Sequence, residues 1–175
     1  ALCFIVFVSL LKKAPIAIYD GLNLIIFLIN TLELWQVIPI ILLLIIFLAS
    51  RNFNQLKKIA EEINLSNGTA LSVKTDITDI QSCQNLIAKT INEFGQIDYL
   101  ILNAGLSMWS RFDEIKDISK FNELANVNFH GSVNTIHCSL KSLKESSGTI
   151  VSITTAQAFI GFPKATFYSA SKHAL

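Results

Sequence analysis

Residues 97–105 read "IDYLILNAG", a short apolar run that ends in Asn103, Ala104 and Gly105. Such a run is typical of a strand buried on both faces of a parallel sheet, and the glycine predicts a turn after it. Outward from this stretch, predicted strands alternate with predicted helices. The alternation favours β–α–β crossovers and therefore an α/β fold with a parallel sheet. A sheet of this kind holds its ligand at the carboxyl ends of the strands.

The other elements follow from apolar periodicity and turn residues. Helices are predicted at residues 52–64, 78–95, about 118–143 and from about 166, and strands at residues 70–74 and 148–154. Five residues form the apolar face of the first helix: Phe53, Leu56, Ile59, Ala60 and Ile63. Asn67–Gly68 predicts its end. In the second helix, Thr78 and Gln81 have the spacing of a capping box, and Gly95 predicts the stop.

The charge and the reactive side chains exclude several classes of function. Lysine and arginine number 14 against 13 acidic residues, and no basic stripe is interleaved with aromatic residues, so we predict no nucleic-acid partner. The three cysteines, Cys3, Cys83 and Cys138, are far apart and form no C-x-x-C pair. The three histidines lack companions at metal-ligand spacing. We therefore predict neither a disulfide framework nor a metal site.

The first 49 residues differ in composition from the rest of the chain. They contain 37 hydrophobic residues and only four charged ones. We predict a hydrophobic N-terminal segment at residues 1–40 and a globular domain at residues 41–175. The first 49 residues contain three apolar runs, and each run is shorter than the roughly 20 residues that span a bilayer. Two interpretations of the segment are open: a membrane anchor within residues 1–44, or a translated non-coding stretch that is wrongly joined to the domain. Residues 43–49 fit a buried parallel strand equally well.

Tyr168 and Lys172 stand four residues apart in "FYSASKHAL", residues 167–175. On a helix this spacing puts both side chains on one side, one turn apart. A phenol is idle as an acid or base at neutral pH, but a nearby ammonium favours its ionised form. The pair therefore predicts proton transfer, although Y-x-x-x-K alone also occurs on ordinary helix surfaces.

Further polar residues strengthen that interpretation because most of them end predicted strands. Thr155 lies thirteen residues before Tyr168, and Asn128 lies on the long predicted helix between the strands. Asn103, Asp76 and Arg51 each follow a predicted strand. A parallel sheet would bring these strand ends to one edge.

Five stretches together resemble the short-chain dehydrogenase/reductase superfamily in order and spacing. They are "DITD" (76–79), "LILNAG" (100–105), "NVNFHG" (126–131), "GTIVSITT" (148–155) and "YSASK" (168–172), and the resemblance covers about residues 43–175. Residues 103–114 and 168–175 are most similar to the membrane-associated branch that contains hydroxysteroid dehydrogenases. The resemblance implies a Rossmann-like, doubly wound parallel sheet, here partial. It also implies a homodimer and a membrane-associated location such as the endoplasmic reticulum, or a cytoplasmic one if the N-terminal segment is no anchor.

The same resemblance implies a catalytic set. Tyr168 would exchange a proton with the carbonyl or alcohol oxygen, and Lys172 would favour its phenolate and bind the nicotinamide ribose. Asn128 would hold a water in the proton relay. Thr155 stands where the family normally has serine, and it would orient the substrate oxygen; Thr154 is the alternative hydroxyl.

It also implies a cofactor set. Asn103, Ala104 and Gly105 would line the adenosine side, and Asp76 would bind the adenine edge. Arg51 would pair with the 2′-phosphate of NADP, whereas an NAD enzyme more often has an acidic residue there. Purely structural roles are also open for three of these residues. Asn103 would satisfy backbone hydrogen-bonding groups at a strand end, Asp76 would cap the turn at Thr78, and Arg51 would be an exposed residue at a helix start.

The family's glycine-rich phosphate turn is missing from its expected place. About 25 residues before Arg51 the sequence reads "IFLINTL", residues 26–32, without a glycine. Glycines there let the backbone approach the pyrophosphate. The chain also begins with Ala1 and ends one turn after Lys172, so we expect it to be a piece of a longer protein.

Two functions are compatible with these observations. The first is an NADP(H)-dependent oxidoreductase that interconverts a carbonyl and a secondary alcohol on an apolar substrate. Residues 107–109 and 158–162 would line the apolar substrate pocket. The second is a non-catalytic, membrane-tethered relative that binds no cofactor. The missing glycine turn favours the second, while the intact Asn128, Tyr168 and Lys172 oppose it.

Overall fold

Strands and helices alternate along the chain in the computed structural model, which describes the backbone of residues 5–9, 45–66 and 68–175, and side chains from Leu48 onward. The strands are β1 (Ile5–Ser9), β2 (Ile45–Ser50), β3 (Thr69–Lys74), β4 (Tyr99–Leu102) and β5 (Thr149–Ser152). The helices are α1 (Phe53–Leu65), α2 (Ile80–Phe94), α3 (Ser119–Ala125), α4 (Gly131–Ser146) and α5 (Thr166–Ala174). A π turn, Asn126–His130, joins α3 to α4, and 3-10 turns lie at Phe112–Glu114 and Ala156–Ala158.

The described strands form one sheet in the order β3-β2-β1-β4-β5. β2 pairs with β3 and β4 pairs with β5 in parallel, as predicted, so the described part of the predicted strand at residues 43–49, from Ile45 on, lies in a parallel strand. β1 differs because it runs antiparallel to both neighbours, with Ile5 opposite Ala49 and Leu102. The carboxyl end of β1 therefore lies at the edge opposite the carboxyl ends of the other four strands.

Helices cover both faces of the sheet, which confirms the doubly wound arrangement. On one face α1 packs over β2, β3 and β4, and on the other α2 and α4 do so. Successive strand residues alternate between the two cores, since Leu100 and Leu102 point to the α2 side and Ile101 to the α1 side. In β4, Leu100, Ile101 and Leu102 are all buried, which explains the continuous apolar sequence of this strand, whereas the residues of β5 are exposed or half-buried.

Local signals set the helix ends, with two departures from the predicted pattern. Asn52 caps α1 by accepting from the Gln55 N–H, but Phe53 is 40% exposed and contributes little to the apolar face. The cap of α2 is Asp79, whose carboxylate accepts from the N–H groups of Gln81 and Ser82. The predicted capping box at Thr78 is therefore wrong. Gly95 ends α2 as predicted, with a φ of +81° that favours glycine.

The predicted long helix is present as α3, the π turn and α4 in one continuous run. No helix in residues 45–66 or 68–175 is long and apolar enough to cross a membrane. Part of the first apolar run, Ile5–Ser9, is a strand. The rest of the predicted N-terminal segment, the "IFLINTL" stretch and Asn67 lie outside the described residues.

Candidate active site

The carboxyl ends of β2, β3, β4 and β5 meet at one edge of the sheet. The register places Ser50 opposite Lys74 and Leu102 opposite Ser152. Two further backbone hydrogen bonds continue the pairing past the strands, from Thr75 N–H to Ser50 O at 3.0 Å and from Ile153 N–H to Leu102 O at 2.9 Å. The predicted site residues that follow these strands therefore share one edge.

A narrow cleft lies at the β2, β3 and β4 side of this edge. Its lining residues are Ala49, Ser50, Arg51, Thr75, Asp76, Ile77, Ala104 and Val127. Arg51 is exposed and Asp76 is half-buried. The structure thus brings together three of the predicted cofactor residues, Arg51, Asp76 and Ala104.

Asp76 is held in its ionised form by its neighbours. Partial burial by itself raises the pKa of Asp76, but the hydrogen bonds of Thr78 and the charge of Arg51 outweigh it, so the pKa is lowered overall. The Thr78 N–H and hydroxyl donate to Asp76 Oδ1 at 3.0 and 2.7 Å. One Asp76 oxygen thus caps the turn at Thr78, as one alternative predicted, while the residue also lines the cleft.

The Asp76–Ile77 segment is fixed from two sides. Asp76 N–H donates to Ser82 Oγ on α2 at 3.0 Å, and Asn134 Nδ2 on α4 donates to Ile77 O at 3.0 Å. Gly131 permits the close approach of α4, because a Cβ there would lie 2.5 Å from Ile77 Cδ1. The cleft wall therefore has little freedom to move.

Asn128 forms hydrogen bonds with the loop that follows β4. Its side chain is fully buried at the π turn; Oδ1 accepts from Leu106 N–H at 2.7 Å, and Nδ2 donates to Leu106 O at 2.9 Å. Nδ2 also donates to Ser171 Oγ at 2.8 Å. Asn128 is thus a direct link between the β4 loop and α5.

Lys172 is buried against the same loop, with 6% of its surface exposed. Its Nζ donates to Ile153 O at 3.1 Å. A Cβ on Gly105 would lie 3.3 Å from Lys172 Nζ and 3.4 Å from Asn128 Oδ1, so Gly105 faces both groups. The predicted Asn103–Gly105 group is therefore divided: Ala104 lines the cleft, Gly105 faces Lys172, and Asn103 is half-buried outside the cleft lining.

Tyr168 and Thr155 lie on two elements that pack together. Tyr168 is half-buried on α5, one turn before Lys172. Thr155 caps the 3-10 turn Ala156–Ala158, where its Oγ1 accepts from the Gln157 N–H at 3.4 Å. His173 Nδ1 donates to Ala158 O at 2.6 Å and so ties α5 to this turn. Thr154, the alternative hydroxyl, is exposed.

The loops that follow β4 and β5 carry exposed apolar side chains. Trp109, Phe159, Ile160 and Phe162 are all exposed, from 42% to 81%. The two loops that carry them are joined by a hydrogen bond from Ser110 N–H to Lys164 O at 2.8 Å. Phe167, next to Tyr168, packs its ring against Phe112 and Phe121 at centroid distances of 5.7 and 4.7 Å.

A family model described as short chain dehydrogenase matches residues 44–175, the same part of the chain that carries this edge and its side chains. The chain belongs to the short-chain dehydrogenase family. Among curated relatives, this short-chain dehydrogenase is 35% identical to 11-beta-hydroxysteroid dehydrogenase 1A of Arabidopsis thaliana and 31% identical to 11-beta-hydroxysteroid dehydrogenase A of Sesamum indicum. Each match covers 73% of this chain and 37% of the relative. The chain thus spans well under half the length of these relatives.

Solved structures agree with this assignment. An alcohol dehydrogenase from the archaeon Thermococcus sibiricus, complexed with 5-hydroxy-NADP, matches with a TM-score of 0.69 and 27% identity, over 73% of this chain and 55% of that one. The NADP-bound structure of ElxO matches with a TM-score of 0.63 and 30% identity, over 72% and 51%. The predicted superfamily, and within it the likeness to hydroxysteroid dehydrogenases, is therefore confirmed.

Several residues of this short-chain dehydrogenase site were not predicted from the sequence. Ser171, Leu106 and Ile153 each make a hydrogen bond to Asn128 or Lys172. Leu106 and Ile153 act through backbone atoms, so their side chains carry no signal. The sequence indicates Ser171 only as one of the small residues between Tyr168 and Lys172.

Proposed function

We propose that this chain is the core of an NADP(H)-dependent oxidoreductase that interconverts a carbonyl and a secondary alcohol. The observation that carries the proposal is the burial of Lys172 one helical turn from Tyr168, at the carboxyl edge of the sheet. Burying an ammonium is costly, so a buried lysine at this edge of the sheet points to a role beyond packing. A purely structural α5 has no need of this charge.

The described residues fit both ends of a dinucleotide. At the adenosine end, Arg51 supplies a guanidinium beside the Asp76 cleft, which suits a 2′-phosphate. At the other end, Gly105 lacks the Cβ that would crowd Lys172, so the ammonium lies directly against the loop after β4, where it would bind the ribose hydroxyls of the nicotinamide. When bound, the cofactor supplies or accepts the hydride.

The protein's own residues then handle the proton and the substrate oxygen. Tyr168, one helical turn from Lys172, takes a proton from an alcohol; in the opposite direction its phenol gives a proton to the carbonyl oxygen. The Thr155 hydroxyl orients that oxygen, and its position on the turn held by His173 keeps it next to α5. Asn128 fixes the loop against which these groups work.

The substrate in this proposal is apolar. The exposed rim of Trp109, Phe159, Ile160 and Phe162 offers a hydrophobic wall beside the catalytic edge. Two of the relatives described above are named as hydroxysteroid dehydrogenases, and a rigid apolar ketone is the substrate class that this wall would accept.

A second candidate function is a non-catalytic relative that binds no dinucleotide. It is favoured by β1, because the carboxyl end of this strand lies at the edge away from Asp76 and Ala104. A phosphate-binding turn needs a strand that ends at the ligand edge. NADPH binding separates the two candidates, since only the enzyme binds it.

We also propose membrane association through residues 10–44, on the hydrophobic composition of that segment, since residues 5–9 are a strand of the sheet. The endoplasmic reticulum is the expected membrane. Carbonate extraction of the expressed chain tests this, and release into the supernatant would contradict it.

A homodimer is proposed through α4. Val133 and Leu140 are exposed by 44% and 40% and are seven residues apart, so they lie on one face of the helix. Light scattering of the purified chain and of Val133→Glu tests this, with a dimer expected for the first and a monomer for the second.

The cofactor experiment compares NADPH and NADH as reductants of an apolar cyclic ketone. We expect NADPH to give the larger kcat/KM and Arg51→Asp to reduce that preference by at least about tenfold, because a guanidinium–phosphate pair is replaced by repulsion. Lys58→Asp on the exposed side of α1 is the control for a change of charge alone. Failure of both nucleotides to bind would support the non-catalytic candidate.

A further inference from the structure

Ser171 connects two halves of the candidate site. Its hydroxyl accepts a hydrogen bond from Asn128 Nδ2 at 2.8 Å and donates one to Tyr168 O, also at 2.8 Å. The residue is buried, with 4% of its surface exposed. A continuous chain of hydrogen bonds therefore runs from the Leu106 peptide through Asn128 and Ser171 to the Tyr168 backbone.

The donors and acceptors in this chain are fully matched. The Asn128 amide has two N–H groups, and these donate to Leu106 O and to Ser171 Oγ. Its oxygen accepts from Leu106 N–H. Without the Ser171 hydroxyl, one N–H of a fully buried amide would lose its acceptor, and orphaned groups of this kind are costly.

We propose that Ser171 is a positioning residue, whose hydroxyl sets the separation between the Tyr168–Lys172 turn of α5 and the Gly105–Leu106 loop. The proposal rests on the proposed function, because Tyr168 and Lys172 on this turn of α5 are the groups proposed to act on the substrate oxygen and the cofactor. Ser171 acts through Asn128 and through the Tyr168 backbone, and it touches no reacting atom.

The packing around Gly105 makes this separation tight. The point where a Gly105 Cβ would sit is 3.3 Å from Lys172 Nζ and 3.4 Å from Asn128 Oδ1. A shift of a few tenths of an ångström in Asn128 therefore changes the surroundings of the Lys172 ammonium. Catalysis is sensitive to the placement of such groups, since a misplacement of about 1 Å can cost about a hundredfold in rate.

Ser139 provides a matched comparison on another helix. It is also fully buried, and its hydroxyl also bonds back to helix carbonyls, Thr135 O at 2.8 Å and Ile136 O at 3.1 Å. No hydrogen bond in the described residues joins its hydroxyl to another element. Ser139→Ala therefore removes a buried serine hydroxyl without breaking a link between elements.

The experiment compares Ser171→Ala, Ser171→Thr and Ser139→Ala in the full chain, with NADPH and an apolar ketone. We expect Ser171→Ala to lower kcat by about tenfold or more while KM for NADPH changes by less than about threefold, and Ser171→Thr to recover most of kcat. Ser139→Ala should leave kcat within about twofold. Equal kcat for the two alanine variants, or no recovery with threonine, would overturn the proposal.

A second readout does not depend on activity. Hydrogen exchange of the Leu106 amide should become at least about tenfold faster in Ser171→Ala and should stay unchanged in Ser139→Ala, because only the first loosens Asn128. If the wild-type chain reduces no ketone, the proposed function fails while the exchange result still decides the role of Ser171. Unchanged exchange in Ser171→Ala would overturn the positioning role in either case.

Discussion

The Nζ atom of Lys172 donates a hydrogen bond to the carbonyl oxygen of Ile153, 3.1 Å away, and so ties helix α5 to the end of strand β5. The ammonium is almost completely buried, yet it lies at the ligand edge of the sheet beside Gly105. A backbone carbonyl partly compensates the burial of this charge. The same contact fixes the position of this charge, one helical turn after Tyr168.

Replacing Lys172 by methionine should abolish most activity. Lys172→Met keeps the side-chain length and removes the buried charge beside Gly105, so we expect kcat to fall by about a hundredfold or more. Steady-state kinetics of the wild type and the variant at one pH measure the fall, and an unchanged kcat would contradict the role of the ammonium.

Asn128 should contribute strongly to stability. Asn128→Ala leaves the Leu106 N–H, the Leu106 carbonyl and Ser171 without their partner, and we expect the free energy of unfolding to fall by about 2–4 kcal/mol. Urea unfolding measures it. Asn122→Ala, an exposed position on α3, is the control and should stay within about 0.5 kcal/mol of wild type. Equal free energies of unfolding for the two variants would show that the hydrogen bonds between Asn128 and Leu106 contribute little to stability.

Gly131 should tolerate no side chain. An alanine Cβ there would lie 2.5 Å from Ile77 Cδ1 and 3.2 Å from Ile77 Cβ, so rotation of Ile77 alone does not relieve the contact. This overpacking should outweigh the roughly 1 kcal/mol that alanine gains over glycine in a helix, for a net loss of about 1–2 kcal/mol.

Because Ile77 lines the Arg51–Asp76 cleft, Gly131→Ala should also weaken NADPH binding. Gly161→Ala is the matched control, since its Cβ would meet nothing within 4 Å. Calorimetry and urea unfolding measure the two effects, and a Gly131→Ala protein as stable as Gly161→Ala would refute the clash.

The buried thiol of Cys83 should make the fold sensitive to alkali. Burial raises the pKa of Cys83 to about 11 from an ordinary value of 9.0, although the Thr135 hydroxyl opposes the shift. The folded state thus keeps the proton that the unfolded chain loses near pH 9. This contribution is fully present below pH 9 and is lost as pH rises from 9 toward 11.

We expect the loss to reach about 2 kcal/mol by pH 11 and to be absent in Cys83→Ala. Urea unfolding at pH 8, 9 and 10 measures the difference in slope between wild type and variant. Cys138→Ala, at a half-buried thiol, should keep most of the wild-type pH dependence. Parallel pH dependence in wild type and Cys83→Ala would contradict this account.

The sequence specifies the helices and parallel strands well because their apolar patterns reflect burial directly. Residues such as Leu56, Ile59 and Cys83 are buried as their spacing predicts. The direction of β1 could not be predicted, since a buried strand has the same apolar pattern in either orientation. The predicted cap of α2 is wrong because the Thr78 hydroxyl donates to Asp76 instead of capping the helix. The Asp79 carboxylate accepts from the helix N–H groups in its place.

Within the candidate site, the sequence predicts residues but not their grouping in space. Tyr168 and Lys172 follow from helical spacing, and Arg51 and Asp76 follow from the shared edge of parallel strands. The division between Ala104 and Gly105 depends on how the turn after β4 packs against α5, which no residue pattern encodes. The hydrogen bond between Ser171 and Asn128 joins positions 43 residues apart, and it too appears only in the fold.

The central claim is that Tyr168 transfers the proton in a carbonyl reduction that uses NADPH. The most direct measurement is kcat for an apolar cyclic ketone with the wild-type chain and with Tyr168→Phe, alongside NADPH binding by both. We predict that Tyr168→Phe binds NADPH as well as wild type and reduces the ketone at least about a thousandfold more slowly. Equal rates for the two proteins, with NADPH bound by both, would contradict the claim.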